Sequence, residues 1–307
     1  MRRIVITACF LCIAFATTGC SELKLSNKNG CRNTCDSETM IIGCDDRMVR
    51  PGAVNSLTEE PWSFIGKFDG LGCTGTLISN RFVLTAAHCV STLSSTHMIG
   101  FALAQKAKIV SQRPYGTYGV RRVFFPGSFF KDTTENIRAY DYAIVELWEP
   151  IQGAAPAVWG HVQWTILKNK PVFTAGYPGT QPDHGVLERP WITQGHYHSS
   201  QTYGWINNGE SGLLYTDLDG SGGQSGSPVY SFLLPSEHDG PGVIRKVIGV
   251  LVGSPKSACM ADRDWVARLT PGAVEHIENV INSQTDPWWD IINLPQSPTA
   301  GPGEAWP

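Results

Sequence analysis

The chain has 307 residues, 42% apolar and 17% charged, a composition that excludes an intrinsically disordered protein. Its net charge of −3 comes without a run of Lys or Arg, so nothing indicates a nucleic-acid surface. The 32 Gly and 20 Pro favour many short strands and turns over long helices.

The first residues are typical of an export signal. Arg2 and Arg3 precede an uncharged, mostly apolar run over residues 4–16, which is too short for an ordinary membrane-spanning helix. Small residues then lead to Cys20, as in a bacterial lipoprotein cleavage box, with an ordinary secretory signal as the alternative. We expect residues 1–19 to direct export of a bacterial protein that is secreted, or held at the cell envelope only by a lipid on Cys20.

The nine cysteines agree with an oxidising compartment. Two leave with the signal peptide, and a lipid on Cys20 would leave an even number for disulfides. Cys73 and Cys89 lie on either side of two strand-like runs, so a bond between them would close a hairpin and hold the loop that follows. The other cysteines allow three pairings and have no histidine pair at zinc-binding spacing, so we expect no metal and no cofactor; they are Cys31, Cys35, Cys44 and Cys259.

Composition divides the rest of the chain. Residues 20–40 are polar and lack apolar periodicity, which indicates a tether or pro-segment. Many short β-rich runs follow between residues 41 and 270, and they predict sandwich or barrel packing. The clearest runs are 75–79, 81–85, 142–147, 171–174 and 246–252.

One helix is predicted near the end of the chain. Thr270 can cap it, Pro271 suits its first position, and three apolar residues would share a face. These are Val274, Ile277 and Ile281. Residues 285–307 are rich in Pro and Trp and have no periodicity, which predicts an extended tail.

Two motifs supply a base and an acid. Leu84-Thr-Ala-Ala-His-Cys89 places His88 after a predicted strand, and imidazole can take and return a proton near neutral pH. Asp141 opens a strongly apolar strand, where a buried, unpaired charge would be costly. An imidazole N–H partner would satisfy that carboxylate and fix the histidine tautomer. A turn aspartate that caps the strand is the alternative.

A third motif, Gly222-Gly-Gln-Ser-Gly-Ser-Pro228, supplies a nucleophile. Serine is a poor nucleophile until a neighbouring base takes its proton, and glycines allow a tight turn around Ser225. The amides of Gly223 and Ser225 could point at a developing oxyanion. The loop lacks the lysine of a phosphate loop, and the order His, Asp, Ser is that of chymotrypsin-type enzymes, not of α/β-hydrolases.

On these motifs the chain resembles the bacterial trypsin-like serine proteases of the glutamyl endopeptidase, or V8-like, group. Further matching segments are 42–47, 73–78, 176–179 and 215–219. The resemblance spans residues 41–284 and implies a chymotrypsin-like, all-β fold. That fold has two six-stranded antiparallel β-barrels, with their boundary here near residues 160–170, and a C-terminal helix packed outside. We expect a monomer.

The resemblance implies a serine endopeptidase that acts on proteins or peptides. His88 would be the general base, Ser225 would attack the scissile carbonyl, and Asp141 would orient the imidazolium. The amides of Gly223 and Ser225 would stabilise the oxyanion, and water would release the acyl-enzyme. A non-catalytic binding protein on the same fold is the alternative, and its expected signature is a missing triad residue.

The substrate pocket departs from the glutamate-specific pattern. Leu251 stands where those enzymes carry a histidine, and Gly220 stands where they carry a threonine. Together with Ser254, these residues offer no cationic or N–H donor to a glutamate carboxylate. Asp219 lies at the offset where trypsin carries its pocket aspartate, so we expect glutamate to be disfavoured while Arg, Lys and neutral side chains remain open. Gln224 carries no charge that could pair with a new N-terminus, so we expect the serine loop to form without one.

Overall fold

The computed structural model describes most of the chain beyond residue 60. The described ranges are 60–105, 113–131, 135–168, 170–178, 191–205, 211–216, 218, 220–253 and 264–306, with two short strands, β1 (Thr39–Met40) and β2 (Met48–Val49). Several predictions lie outside these residues: the signal peptide over 1–19, most of the segment 20–40, and single residues of the lipidation, disulfide and pocket predictions. The single residues are Cys20, Cys31, Cys35, Cys44, Cys259, Asp219 and Ser254.

Six antiparallel strands form the first barrel. They are β3 (Ile65–Asp69), β4 (Thr74–Ser79), β5 (Phe82–Thr85), β6 (Gly100–Leu103), β7 (Tyr118–Pro126) and β8 (Ala143–Leu147). The ladder runs β7, β6, β3, β4, β5, β8 and closes where β8 pairs with β7. β5 and β8 are buried at every position, so both the inner and the outer faces of these strands are covered.

A second ring of six strands follows. It is built from β9 (Pro171–Gly176), β10 (Trp191–Trp205), β11 (Ser211–Thr216), β13 (Pro228–Leu233), β14 (Ile244–Gly253) and β15 (Asp264–Arg268), while the short β12 (Gly220–Ser221) pairs with β1. The ladder runs β11, β15, β14, β13, β9, β10 and closes where β10 pairs with β11. The predicted pair of six-stranded antiparallel barrels is therefore confirmed.

Helices are few and short in the described part of the chain. They are α1 (Ala87–Val90), α2 (Trp164–Leu167) and α3 (Pro271–Ile281), and none is long and apolar enough to cross a membrane. α3 begins as the sequence predicts, with Pro271 in the first turn and the Thr270 hydroxyl accepting a hydrogen bond from the Ala273 amide. Ile277 and Val280 of its apolar face are buried.

After α3 the chain returns to the first barrel. A further strand, β16 (Trp289–Asn293), pairs antiparallel with β7, from Trp289 opposite Pro126 to Asn293 opposite Arg122. Beyond β16, Thr117 and Ala300 exchange backbone hydrogen bonds of 2.8 and 2.9 Å. The segment in which the sequence indicated only an extended tail thus supplies a seventh strand beside the barrel.

A polar cluster joins α3 to the start of this segment. The Asp286 carboxylate accepts hydrogen bonds from His276 Nδ1 (2.7 Å), Asn279 Nδ2 (3.0 Å) and the Trp288 amide (3.0 Å). Burial opposes ionisation of Asp286, but these hydrogen bonds and the nearby His276 outweigh it and hold the pKa of Asp286 below its ordinary value.

We expect Asp286→Asn to lower the free energy of unfolding at neutral pH by roughly 1–3 kcal/mol, because a charged acceptor of several hydrogen bonds is lost. A carboxyl whose pKa is lower in the folded chain stabilises the fold above its unfolded pKa, and that contribution disappears as the pH falls. The deficit of the variant should therefore shrink between about pH 5 and pH 2. Urea unfolding across this range measures it.

The matched control is Asp290→Asn, which changes an exposed carboxylate on β16 and should leave the unfolding free energy nearly unchanged. A deficit of Asp286→Asn that grows on acidification would contradict the argument.

Candidate active site

Strand pairing brings His88 and Asp141 to one end of the first barrel. β5 and β8 pair antiparallel, with Thr85 opposite Ala143. The chain leaves β5 and reaches His88 in α1, while Asp141 lies just before β8 begins. Residues 53 positions apart in the chain thus become neighbours through the register of two buried strands.

The two residues make a double contact. His88 Nδ1 lies 2.8 Å from Asp141 Oδ2, and the His88 amide donates to Asp141 Oδ1 at 2.9 Å. The Asp141 side chain is fully buried, whereas a third of the His88 side chain (34%) is exposed. Because a carboxylate accepts but does not donate, it selects the tautomer with the proton on Nδ1 and leaves Nε2 free to accept one. This is the arrangement expected from the sequence for a general base and its orienting acid.

One further charge faces the Asp141 carboxylate. Arg138 Nη1 lies 3.7 Å from Asp141 Oδ2, and the guanidinium stacks over the Trp265 ring of β15 at 4.8 Å from its centroid. The Asp141 amide also donates to the Arg138 carbonyl at 3.3 Å. Arg138 therefore links the turn before Asp141 to the second barrel.

The predicted disulfide between Cys73 and Cys89 is confirmed. It joins the residue before β4 to α1, with the two Cα atoms 6.2 Å apart, and so closes the β4–β5 hairpin. Cys89 Sγ lies 3.7 Å from His88 Nε2. The bridge thus restrains the turn that carries the imidazole.

The loop that carries Ser225 is docked on β4 of the first barrel. The Thr74 amide donates to the Ser225 carbonyl, and the Thr74 hydroxyl donates to the Gly223 carbonyl, both at 2.9 Å. Ser225 is partly exposed. Between these described residues Ser225 and His88 form no direct hydrogen bond, and such bonds commonly shorten only when substrate binds.

Gly226 brings the serine loop and the first barrel into backbone contact. Its φ of +86° belongs to the left-handed region, and a Cβ there would overlap the Thr74 carbonyl and the Thr85 hydroxyl. Thr85 lies three residues before His88, so this contact places the serine loop beside the histidine turn. The structure therefore brings all three predicted triad residues to the same end of the first barrel.

The amides of the serine loop divide into two sets. Those of Gln224, Gly226 and Ser227 donate to backbone carbonyls within the protein. Those of Gly223 and Ser225 donate to no residue in the described part of the chain. Two neighbouring free N–H groups are what an oxyanion site requires.

The described pocket residues lie next to this loop. The Leu251 amide donates to the Ser227 carbonyl (2.9 Å) and its carbonyl accepts from the Gly226 amide (2.8 Å), while its side chain is fully buried in the core of the second barrel. Gly220 forms part of β12 and is buried. Neither supplies a charged or polar side-chain group.

Asp264 is a buried acid that the sequence analysis missed. Its side chain is fully buried at the start of β15, opposite Thr216 of β11. β11 leads into the serine loop, and β15 pairs with the end of β14 just beyond Leu251. An acid that opens the apolar run Trp265-Val-Ala was a detectable signal, since the same pattern had singled out Asp141.

The chain matches the model of a known protein family. The family model described as the trypsin-like peptidase domain matches residues 73–232, just over half of the chain. The matched range contains the histidine turn, the acid before β8 and the serine loop.

Two curated relatives carry protease names. A glutamyl endopeptidase of Bacillus licheniformis is 32% identical over 193 residues, which are 62% of this chain and 54% of that protein. Serine protease 23 of Rattus norvegicus is 26% identical over 276 residues, 80% of this chain and 67% of that protein. The chain thus spans about half the length of the Bacillus relative.

A solved structure gives the same fold. A Glu endopeptidase in complex with MPD superposes with a TM-score of 0.57 at 20% sequence identity, covering 80% of this chain and all of that one. At this identity the likeness concerns the fold alone.

We expect the double variant Cys73→Ser, Cys89→Ser to lose stability and to place the His88 turn less accurately. For residues separated by 16 positions, the chain-entropy estimate of the lost stability is ~3 kcal/mol. Chemical unfolding measures the stability, and non-reducing peptide mapping of the native protein locates the bridge. Active protein with both thiols free would contradict this role for the disulfide.

Proposed function

Because this chain belongs to the trypsin-like peptidase family, we propose that it is an exported serine endopeptidase that hydrolyses protein or peptide substrates through an acyl-enzyme. The observation that carries the proposal is the contact between the buried Asp141 carboxylate and His88 Nδ1 at 2.8 Å. It lies at the end of the first barrel on which the serine loop is docked. The function of a non-catalytic binding protein does not require an imidazole held in one tautomer beside a serine on a tight turn.

In this proposal, His88 acts first as base and then as acid. Its Nε2 takes the proton of the Ser225 hydroxyl as Oγ bonds to the scissile carbonyl carbon. The same proton passes to the leaving amine when the C–N bond breaks, which leaves an acyl group on Ser225. Water, deprotonated by His88, then attacks the acyl carbon and releases the acid and free serine. Asp141 stabilises the imidazolium at both stages.

The oxyanion of each tetrahedral intermediate is assigned to the amides of Gly223 and Ser225. Both N–H groups lack an acceptor among the described residues, so neither has to give up a hydrogen bond to serve the substrate. Removing a single such donor in a comparable enzyme costs about 2.7–4 kcal/mol of transition-state stabilisation.

The substrate pocket is proposed to accept basic or neutral side chains and to disfavour glutamate. Leu251 is apolar and buried, Gly220 has no side chain, and the buried Asp264 lies at the same end of the second barrel. Asp219 and Ser254 remain pocket candidates from the sequence. A negative pocket repels a glutamate carboxylate, and a neutral pocket disfavours it because neither Leu251 nor Gly220 offers a group that offsets the cost of its desolvation.

The disulfide supports an oxidising location outside the cytoplasm. Two forms complete the proposal, both monomeric: a secreted form from which the segment 20–40 is removed as a pro-segment, or a form in which that segment stays as a tether with a lipid on Cys20. Mass measurement and N-terminal sequencing of the purified active protein distinguish the two forms.

We expect a serine-directed fluorophosphonate to label the folded mature protein on Ser225. Ser225→Ala should abolish the labelling, and His88→Ala should slow it by orders of magnitude because the nucleophile loses its base. Ser95→Ala, an exposed serine after α1, is the matched control and should react like the parent. Folded, mature protein that does not react would favour the non-catalytic alternative.

We expect cleavage-site profiling on a proteome-derived peptide mixture to show few cuts after glutamate. Asp264→Asn should reduce the share of cuts after Arg and Lys relative to neutral residues, because it replaces the ionisable carboxyl group at that end of the barrel by a neutral amide. Thermal unfolding of the variant establishes that it is folded. A profile dominated by glutamate would overturn the pocket proposal.

A further inference from the structure

We propose that Trp288 and Trp289, in the segment that returns from α3 to the first barrel, are positioning residues for Asp141. The inference rests on the proposed function, because it concerns the accuracy with which the acid of the triad is held. Among the described residues, neither tryptophan forms a hydrogen bond or ring contact with His88, Asp141 or Ser225. They act through Tyr140 and Tyr142, the two residues on either side of Asp141.

Each tryptophan packs on one of these tyrosines. The rings of Trp288 and Tyr140 have centroids 5.8 Å apart, and Trp289 meets Tyr142 edge to face, also at 5.8 Å. Tyr142 is fully buried, and that burial raises the pKa of its hydroxyl; the Trp288 side chain and Asp286 are among the groups that face it. The aspartate is therefore flanked on both sides by aromatic contacts to the same short segment.

Asp141 needs such support because it lies outside the barrel ladder. β8 begins only at Ala143, two residues later, and a short 3-10 helix (Glu135–Tyr140) precedes the acid. Between this helix and β8, the Asp141 amide donates to the Arg138 carbonyl at 3.3 Å and the Tyr142 amide donates to the Tyr140 carbonyl at 2.8 Å. Side-chain packing on Tyr140 and Tyr142 thus adds to the backbone bonds that hold this short connection.

The tryptophans are themselves held from two directions. On the α3 side, the Trp288 ring stacks on His276 at 4.4 Å with 4° between the planes, and the Trp289 indole N–H donates to the His276 carbonyl at 3.1 Å. On the barrel side, the Gly127 amide donates to the Trp288 carbonyl at 2.9 Å, where β16 pairs with β7. The segment is therefore fixed to α3 and to β7, and through its two tryptophans it restrains the turn before β8.

The charged groups that face Asp141 in the described chain are His88 and Arg138. If the turn shifts, the carboxylate moves relative to both of them. Displacement of a positioned group by about 1 Å can lower a rate by about 100-fold even when substrate binding is unaffected. A purely structural role for the tryptophans would instead lower stability and leave the chemistry of the folded fraction intact.

The test compares Trp288→Ala and Trp289→Ala with Trp288→Phe and Trp289→Phe. On a peptide substrate that the parent cleaves, we expect kcat to fall at least about tenfold in the Ala variants with KM changed by less than about twofold. The Phe variants, which keep an aromatic ring against the tyrosines, should recover most of kcat. Unfolding curves fix conditions under which every variant is folded.

The matched control is Leu294→Ala, which truncates a buried side chain just after β16, at the end that bonds to Arg121. It should lower stability and leave kcat near that of the parent. Folded Ala variants with parental kcat, or a control that loses kcat equally, would overturn the proposal.

A readout independent of activity separates this proposal from the proposed function. A histidine Nδ1 proton hydrogen-bonded to a carboxylate gives a strongly deshielded proton NMR signal. Because His276 Nδ1 also bonds a carboxylate, the His88 signal is assigned as the one that His88→Ala removes. We expect this His88 signal in the parent and in Leu294→Ala, and its loss or broadening in the Trp→Ala variants. A parent that shows the signal without reacting with a fluorophosphonate rejects the protease, whereas active Trp→Ala variants that keep the signal reject the positioning role.

Discussion

The serine loop meets the first barrel at Gly226, where the two backbones approach with no room for a side chain between them. Around this point, the Thr74 hydroxyl donates to the Gly223 carbonyl and accepts from the Tyr177 amide, both of which belong to the second half of the chain. The Leu251 backbone holds the other side of the loop. Since the proposed nucleophile, Ser225, and the proposed base, His88, come from different barrels, this contact determines how accurately they are placed relative to each other.

The second demand on the site is electrostatic. A fully buried carboxylate such as Asp141 is tolerated when its oxygens accept hydrogen bonds, and here the ring and the backbone of His88 both supply them. The same contacts that stabilise the buried charge select the histidine tautomer. The same two hydrogen bonds therefore stabilise the buried Asp141 carboxylate and orient the His88 ring. Because of them, an aspartate can precede an apolar strand.

Several strands and the start of the C-terminal helix could be predicted from local sequence patterns. The strands at 75–79, 142–147 and 246–252 were predicted within a few residues, because β-branched runs bounded by turn residues are decided locally. The start of α3 followed from a capping threonine and a proline in the first turn. Order and context of the three motifs were enough to nominate the triad residues.

What local patterns could not supply was pairing between distant segments. β16 follows a proline and a tryptophan, begins at a second tryptophan and shows no alternation, so it becomes a strand only because β7 offers it a hydrogen-bonding partner. The free amides of Gly223 and Ser225 emerge only once the partners of their neighbours are known. Asp264 escaped notice for a related reason, since its importance depends on the strand that lies beside it.

The bridge between Cys73 and Cys89 also makes the His88 turn depend on the redox environment. A chain in a reducing compartment would carry two thiols there, and the turn with His88 would lack its covalent restraint. For the exported enzyme proposed above, oxidation outside the cytoplasm would supply that restraint beside the imidazole. For the protease proposed above, accurate placement of His88 would then depend on the redox state of the surroundings, so the same chain would be less well ordered for hydrolysis in the cytoplasm than outside it.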